Sequence, residues 1–155
     1  MIENIRVAHP EDVRAIYDLI CDMENKTLPY PDFEGIFLRQ SIRKDFLCLV
    51  YIQNEEVVGC INLRMEEQLH HAGRICEIME FVVNREQRGN GIGKCLFNAA
   101  CMEAMKRQCL QIEVSCNRLR ERTHRFYEAQ GMHRFHYKFS LDFTRSEDHE
   151  NRLGR

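Results

Sequence analysis

Two groups of residues in this 155-residue chain have the type and spacing to do chemistry. The first is a pair of carboxylates. Glu77 and Glu80 are the only acids in the run Ile75 to Val83, which is otherwise apolar on both faces apart from Cys76. Burying a carboxylate is costly unless it is paired or working, and desolvation raises its pKa toward that of a useful base. The second is the segment Arg88-Gly89-Asn90-Gly91-Ile92-Gly93-Lys94. Glycine lets the backbone curl with positive φ and admits a ligand where a Cβ would stand in the way. A loop curled in this way, opening a helix, aims successive N–H groups at one point and suits phosphate oxygens, helped by Arg88 and Lys94.

The elements that must hold these groups can be read from periodicity. Glu77 and Glu80 are three apart, so a regular strand turns them to opposite faces and a bulge would change that parity. A salt bridge from either one to Arg64 or Arg74 across the sheet is the competing structural account. The glycine segment follows the strand at once and leads into a helix predicted from about Ile92 to Gln108. Upstream, Ile5 to Ala8 reads as a short strand. Val13, Ile16, Tyr17, Ile20 and Met23 mark an amphipathic helix after Pro10, and a second such piece runs from Phe33 to Ile42. Phe46 to Ile52 and Val57 to Leu63 form a predicted hairpin, with a turn expected over Leu69 to Gly73. Downstream come a strand over Leu110 to Ser115 and a helix over Leu119 to Gln130 that Gly131 terminates. Phe135, Tyr137, Phe139, Leu141 and Phe143 alternate with polar residues, which predicts a last strand with one covered face. His70-His71 and His133/His136 are expected to diverge in pairs, which disfavours a metal site built on either pair.

Composition narrows the classes. With 22 Lys+Arg against 24 Asp+Glu, the formal charge is −2, so no global field favours nucleic acid or an anionic membrane. The basic cluster Arg118, Arg120, Arg122, Arg125 and Arg134 is the one local exception, and it has little aromatic platform for stacking bases. At 44% apolar and 30% charged, the chain is an ordinary globular sequence, long enough to bury a core without staples. The eight cysteines show no C-x₂₋₄-C spacing and sit mostly in apolar runs, as small hydrophobes do. No apolar amino-terminal stretch or membrane-length run is present, and the expectation is a reduced, cytoplasmic protein. One domain over residues 1–143 is expected, followed by a charged tail over 144–155.

The glycine segment fits neither the Walker spacing, since Lys94 precedes Cys95, nor the G-x-G-x-x-G dinucleotide fingerprint. Read as R-x-x-G-x-G on Arg88, Gly91 and Gly93, it resembles the coenzyme A loop of the GNAT acetyltransferase superfamily. Arg125-Phe126-Tyr127-Glu128-Ala129-Gln130-Gly131-Met132 is similar to that superfamily's F-Y-x-x-x-G-[FM] helix end. Arg85 and Met132 depart from it, standing where a proline and an aromatic are common. The resemblance implies an α/β (α+β) fold, a mixed, mostly antiparallel central sheet flanked by about four helices. It also implies acetyl-CoA as cosubstrate, and a homodimer.

The same resemblance implies roles. The amides of Arg88, Gly89, Asn90, Gly91, Ile92, Gly93 and Lys94 would take the pyrophosphate. The main chain of Phe81, Val82 and Val83 would pair with the pantetheine arm, and the Val83 N–H would polarise the acetyl carbonyl. Glu80 would act as base or water relay, with Glu77 as a substrate contact. Tyr127 would protonate the departing thiolate, its alternative being a core aromatic. Asn117 would touch the pantetheine or the loop, and a capping role suits it equally. The arginine cluster could receive the coenzyme's terminal phosphate. The stretches Ala15 to Cys21, Leu69 to Val83 and His124 to Tyr127 are similar to the aminoalkylphosphonate N-acetyltransferases. That similarity implies a small amine bearing a phosphonate as acceptor and leaves a divalent metal open. Aminoglycosides, polyamines and peptide N-termini are the other acceptors in view, and a non-catalytic acyl-CoA sensor is the contrasting class.

Overall fold

The computed structural model describes residues 3–143. Chain contacts divide into two compact units, Met1–Val114 and Ser115–Arg155.

In the first unit, five strands form one sheet in the order of the chain: β1 (Ile5–Val7), β2 (Phe46–Gln53), β3 (Glu56–Gln68), β4 (Gly73–Val83) and β5 (Gln111–Val114). Successive pairs are antiparallel except β4 with β5, which is parallel because α3 (Ile92–Lys106) crosses between them. The fold is thus mixed and mostly antiparallel, as expected.

On one face, α1 (Val13–Glu24) buries Ile16, Leu19 and Ile20 against Val50, Cys60 and Val82. These helix positions are three to four apart, which is how a sequence with a 3.6-residue repeat builds a single apolar stripe. Asn25 ends the helix in the left-handed region at φ 53°. The start of α1 is tied to β1, because the Asp12 carboxylate accepts from the His9 N–H at 2.7 Å and from both Arg6 Nη atoms at 2.7 and 3.1 Å. Next, α2 (Tyr30–Ser41) closes over the same face, with Phe33 and Phe37 packed on that cluster and Tyr17 set edge-on to Tyr30 and Phe33. On the opposite face, α3 buries Ile92, Leu96, Phe97, Ala100 and Ala104. It approaches closely over Gly59, where a Cβ would stand 3.1 Å from Leu96 Cδ1.

The second unit contains α4 (Glu121–Ala129). Its end is closed by Met132 N–H to Tyr127 O (3.1 Å) and Gly131 N–H to Glu128 O (3.0 Å), the paired bonds of a Schellman motif with Gly131 at C′ as expected. The strand expected over Phe135 to Phe143 is absent. Those residues have no regular structure, and Phe135, Tyr137, Phe139, Leu141 and Phe143 are exposed. Alternation says which side chains would share a face, but a strand also needs a ladder partner, and none is assigned here. The charged tail over 144–155 lies outside the described residues. Among the described residues, no helix is long and apolar enough to cross a membrane.

Candidate active site

The two carboxylates share a face, and the reason is one extra residue. In the β3–β4 ladder Glu80 lies opposite Asn62, yet Ile78 lies opposite Leu63, so Met79 is bulged out. Asn62 and Arg64 are two apart on β3 and point the same way. Their partners Glu80 and Glu77 therefore face α1 and α2 together, instead of diverging as a regular strand would require.

The two acids have different surroundings. Glu77 accepts from Arg64 Nη2 at 2.9 Å, and the same nitrogen reaches Glu66 at 3.2 Å, so the cross-strand salt bridge exists and belongs to Glu77. Glu80 instead accepts from Asn62 Nδ2 at 2.8 Å. Burial pushes the Glu80 carboxyl above its ordinary range, the Asn62 hydrogen bond works against that rise, and the Glu24 carboxylate on α1 adds to it. Asn62 Nδ2 also donates to Gln40 Oε1 on α2 at 3.0 Å. Sequence reasoning missed both amides, since a single neutral side chain in a strand or on a helix carries no periodic signal. Beside them is a cavity of about 130 Å³ lined by Phe37, Gln40, Ser41, Phe46, Cys48 and Asn62, among others.

The far end of β4 runs past its pairing with β5. That pairing covers Ile75 to Ile78, and among the described residues no strand is assigned beside Val82 and Val83 on the side away from β3. Asn84 N–H donates to Val58 O at 2.8 Å. By the alternation of an antiparallel ladder, Asn84 and Val82 direct their backbone groups to β3, while Phe81 and Val83 direct theirs away from it. Arg88 Nε donates to Val83 O at 3.2 Å and holds the glycine loop against the strand end.

Gly89 and Gly91 take φ of +84° and +79°, and a Cβ at either would project into open space with no atom within 4 Å. Gly93 does not share this geometry. It lies in the first turn of α3, which Gly91 caps, and the helical hydrogen-bond pattern there suppresses the curl expected of it. The first bond of that turn is Cys95 N–H to Gly91 O at 3.0 Å. Ile92, Gly93 and Lys94 thus present the free N–H groups of a helix start beside the cleared space over the two glycines. That is the fit an anion such as a diphosphate requires.

Two candidates lie in the second unit. Tyr127 is buried, and burial, aided by Cys116 and opposed by Arg120, pushes its phenol up to about 12. Asn117 Oδ1 accepts from Leu119 N–H at 2.9 Å, and its carbonyl accepts from Arg120 N–H at 3.0 Å, so it organises the turn before α4. Arg134, from the arginine cluster, pairs with Glu128 at 3.2 Å and contacts His124 Nδ1 at 3.2 Å. His70 and His71 do not diverge as expected. Their rings lie 4.2 Å apart in a 3₁₀ turn over Leu69–His71, inside the turn expected there. Among the described residues no group of three or more His, Cys, Asp or Glu side chains could hold a metal ion. All eight cysteines are free thiols, and burial pushes that of Cys76 up to about 12.

The sequence model of the Acetyltransferase (GNAT) family matches residues 12–132. The aminoalkylphosphonate N-acetyltransferase of Salmonella typhimurium is 36% identical over 136 residues, 88% of each chain. Among solved structures, a transcriptional regulator from Bacillus halodurans C-125 aligns with a TM-score of 0.83 at 24% identity, covering 90% of this chain and 98% of that one. Glucosamine-6-phosphate N-acetyltransferase from Arabidopsis thaliana aligns at 0.75 and 20% identity, covering 90% and 97%. At these identities the structural matches speak to the fold alone.

Proposed function

Since the chain belongs to the GNAT acetyltransferase family, an acyltransferase family that uses acetyl-CoA, we propose that it acetylates the primary amine of a small aminoalkylphosphonate. The acceptor class is supported by the 36% identical Salmonella enzyme. The observation that carries the chemistry is the bulge at Met79, which turns Glu80 onto the face covered by α1 and α2, where burial raises its pKa.

The residues then divide the work. The N–H groups of the loop Arg88 to Lys94 hold the diphosphate, with Gly89 and Gly91 keeping the space above them clear. The main chain of Phe81 to Val83 takes the pantetheine arm as an added strand, and the N–H of Val83, directed away from β3, donates to the thioester oxygen. The acceptor enters as an ammonium. Glu80, directly or through one water, removes a proton so that the nitrogen lone pair attacks the carbonyl carbon. The C–N bond forms, the C–S bond breaks, the sulfur leaves with its electron pair, and the second proton shed by the nitrogen balances the one the thiolate takes up. A carboxyl of raised pKa is matched to that proton transfer near neutral pH better than an ordinary glutamate. Glu77, oriented by Arg64, meets the acceptor's cationic end. From the second unit, Tyr127 and Asn117 keep the roles the family resemblance implies, proton delivery to sulfur and contact with the pantetheine. A phenol near 12 stays protonated at working pH, so its service to the thiolate begins as a hydrogen bond. We also propose a cytoplasmic homodimer, the second part supported by the exposed apolar row from Phe135 to Phe143.

The test is an amine panel with acetyl-CoA, read by mass spectrometry and including aminoalkylphosphonates, aminoglycosides, polyamines and peptide N-termini. Preferential acetylation of the aminoalkylphosphonates is expected. Turnover of another class alone refutes the acceptor assignment. Binding of acetyl-CoA with no acceptor turned over would favour the sensor.

A further inference from the structure

The side chain that governs Glu80 lies on the neighbouring strand. Asn62 Nδ2 has two hydrogens and uses both, one to Glu80 Oε2 at 2.8 Å and one to Gln40 Oε1 at 3.0 Å. A carboxylate only accepts, so Glu80 dictates that Asn62 present its nitrogen, and Asn62 in turn dictates that Gln40 present its oxygen. We propose that Asn62 is a positioning residue for acetyl transfer, holding Oε2 of Glu80, directing the incoming proton to Oε1, and linking the carboxylate to α2 through Gln40. This rests on the reading of Glu80 as the group that takes the acceptor's proton.

The surroundings give Asn62 this leverage. The groups acting on Glu80 are the Glu24 carboxylate from α1, which disfavours its ionisation, and the Asn62 amide from β3, which favours it. From the same sheet face, the Cys60 thiol on β3 is held protonated by its hydrogen bond to Cys48 on β2 and by burial, so it supplies no charge that could replace the amide. On β4, Glu77 is engaged by Arg64. Gln40, from α2, is neutral and reaches Glu80 only through Asn62. Gln40 and Asn62 both line the cavity beneath α2, so a molecule seated there would meet both ends of the relay.

Two readouts separate this inference from the identity of the base. One is the titration of the Glu80 carboxyl followed by carbon NMR on protein with ¹³C-labelled glutamate, its signal assigned by loss in Glu80→Gln. The other is the acidic limb of kcat/KM. In Asn62→Leu the Glu80 midpoint should move to higher pH, because the lost donor favoured the ionised form. The acidic limb should follow, kcat should fall about tenfold from lost orientation, and the KM for acetyl-CoA should not change. Gln40→Leu leaves the 2.8 Å bond in place and should move the midpoint the same way by less. If Asn62→Leu does not fold, Asn62→Ser, which is too short to span both partners, should show the same upward direction. A folded Asn62 variant whose Glu80 midpoint stays at the wild-type value overturns the inference. A midpoint that moves while the acidic limb does not leaves Asn62 in its place and refutes Glu80 as the base.

Discussion

Replacing Gly91 with alanine separates the folding cost of the glycine loop from its binding function. Gly91 has φ +79°, and a Cβ there would meet no atom within 4 Å. Without ligand, the substitution therefore adds only the conformational cost of a side chain in the left-handed region. That cost is about 1–2 kcal/mol, or a fall of roughly 2–8 °C in Tm for a chain of this size. The open space over Gly91 has a second meaning if a diphosphate sits on the N–H groups of Ile92, Gly93 and Lys94. The methyl would then occupy the ligand's place and displace at least one charge-assisted hydrogen bond, worth about 1.5–3 kcal/mol. The dissociation constant for acetyl-CoA should rise about 10- to 100-fold, beyond anything loop strain explains. Calorimetric titration and thermal melts read the two effects separately. Gly131→Ala supplies the matched control: its φ is +87°, again with no atom within 4 Å of a Cβ, but it closes α4. It should lose similar stability and keep its affinity. If Gly91→Ala melts lower as calculated yet binds within about threefold of wild type, the backbone cradle does not hold the diphosphate.

Glu80→Gln should lower kcat by about 10²–10⁴ while acetyl-CoA still binds. It should also raise Tm at alkaline pH. Burial raises the folded-state pKa of Glu80, so its contribution favours the native state at low pH and is lost as pH rises through that value, and the gain from glutamine should vanish in acid. Asp12→Ala should show the opposite pH dependence. Burial opposes ionisation of Asp12, but Arg6 and the His9 N–H outweigh it and hold the carboxyl below its ordinary range. The stability it contributes is present above the unfolded pKa and disappears as pH falls through the folded one. Because Arg6 is partly exposed, a loss of about 1–2 kcal/mol near neutral pH is expected from denaturant melts. Tyr127→Phe should slow turnover without moving the alkaline limb of the rate profile, since a phenol near 12 does not titrate below it.

Much of the scaffold could be read from one-dimensional pattern. The 3.6-residue repeat of Val13, Ile16, Tyr17 and Ile20 located α1, and the glycines after an apolar strand located the α3 start. The row Phe135 to Phe143 misled for a physical reason. Period-two alternation reports that one face wants cover, and it is silent about which backbone will supply the ladder.

For the site, the deciding quantity was parity. Glu77 and Glu80 were visible as costly carboxylates, but their spacing of three predicts opposite faces, and only the insertion of Met79 brings them together. A bulge leaves no mark in composition, because Met79 would suit a regular strand equally well. Asn62 was harder still to see. Its importance comes from lying opposite Glu80 in the register and beneath Gln40 of α2, two relations between segments far apart in sequence. A base can be nominated from its own residue type, whereas the group that holds it is identified only by what lies across the strand. Substituting Asn62 therefore probes the register itself. If β3 were shifted by one residue, Ile61 or Leu63 would face Glu80 and no amide would reach it, so loss of leverage over the Glu80 titration would follow directly from a wrong ladder.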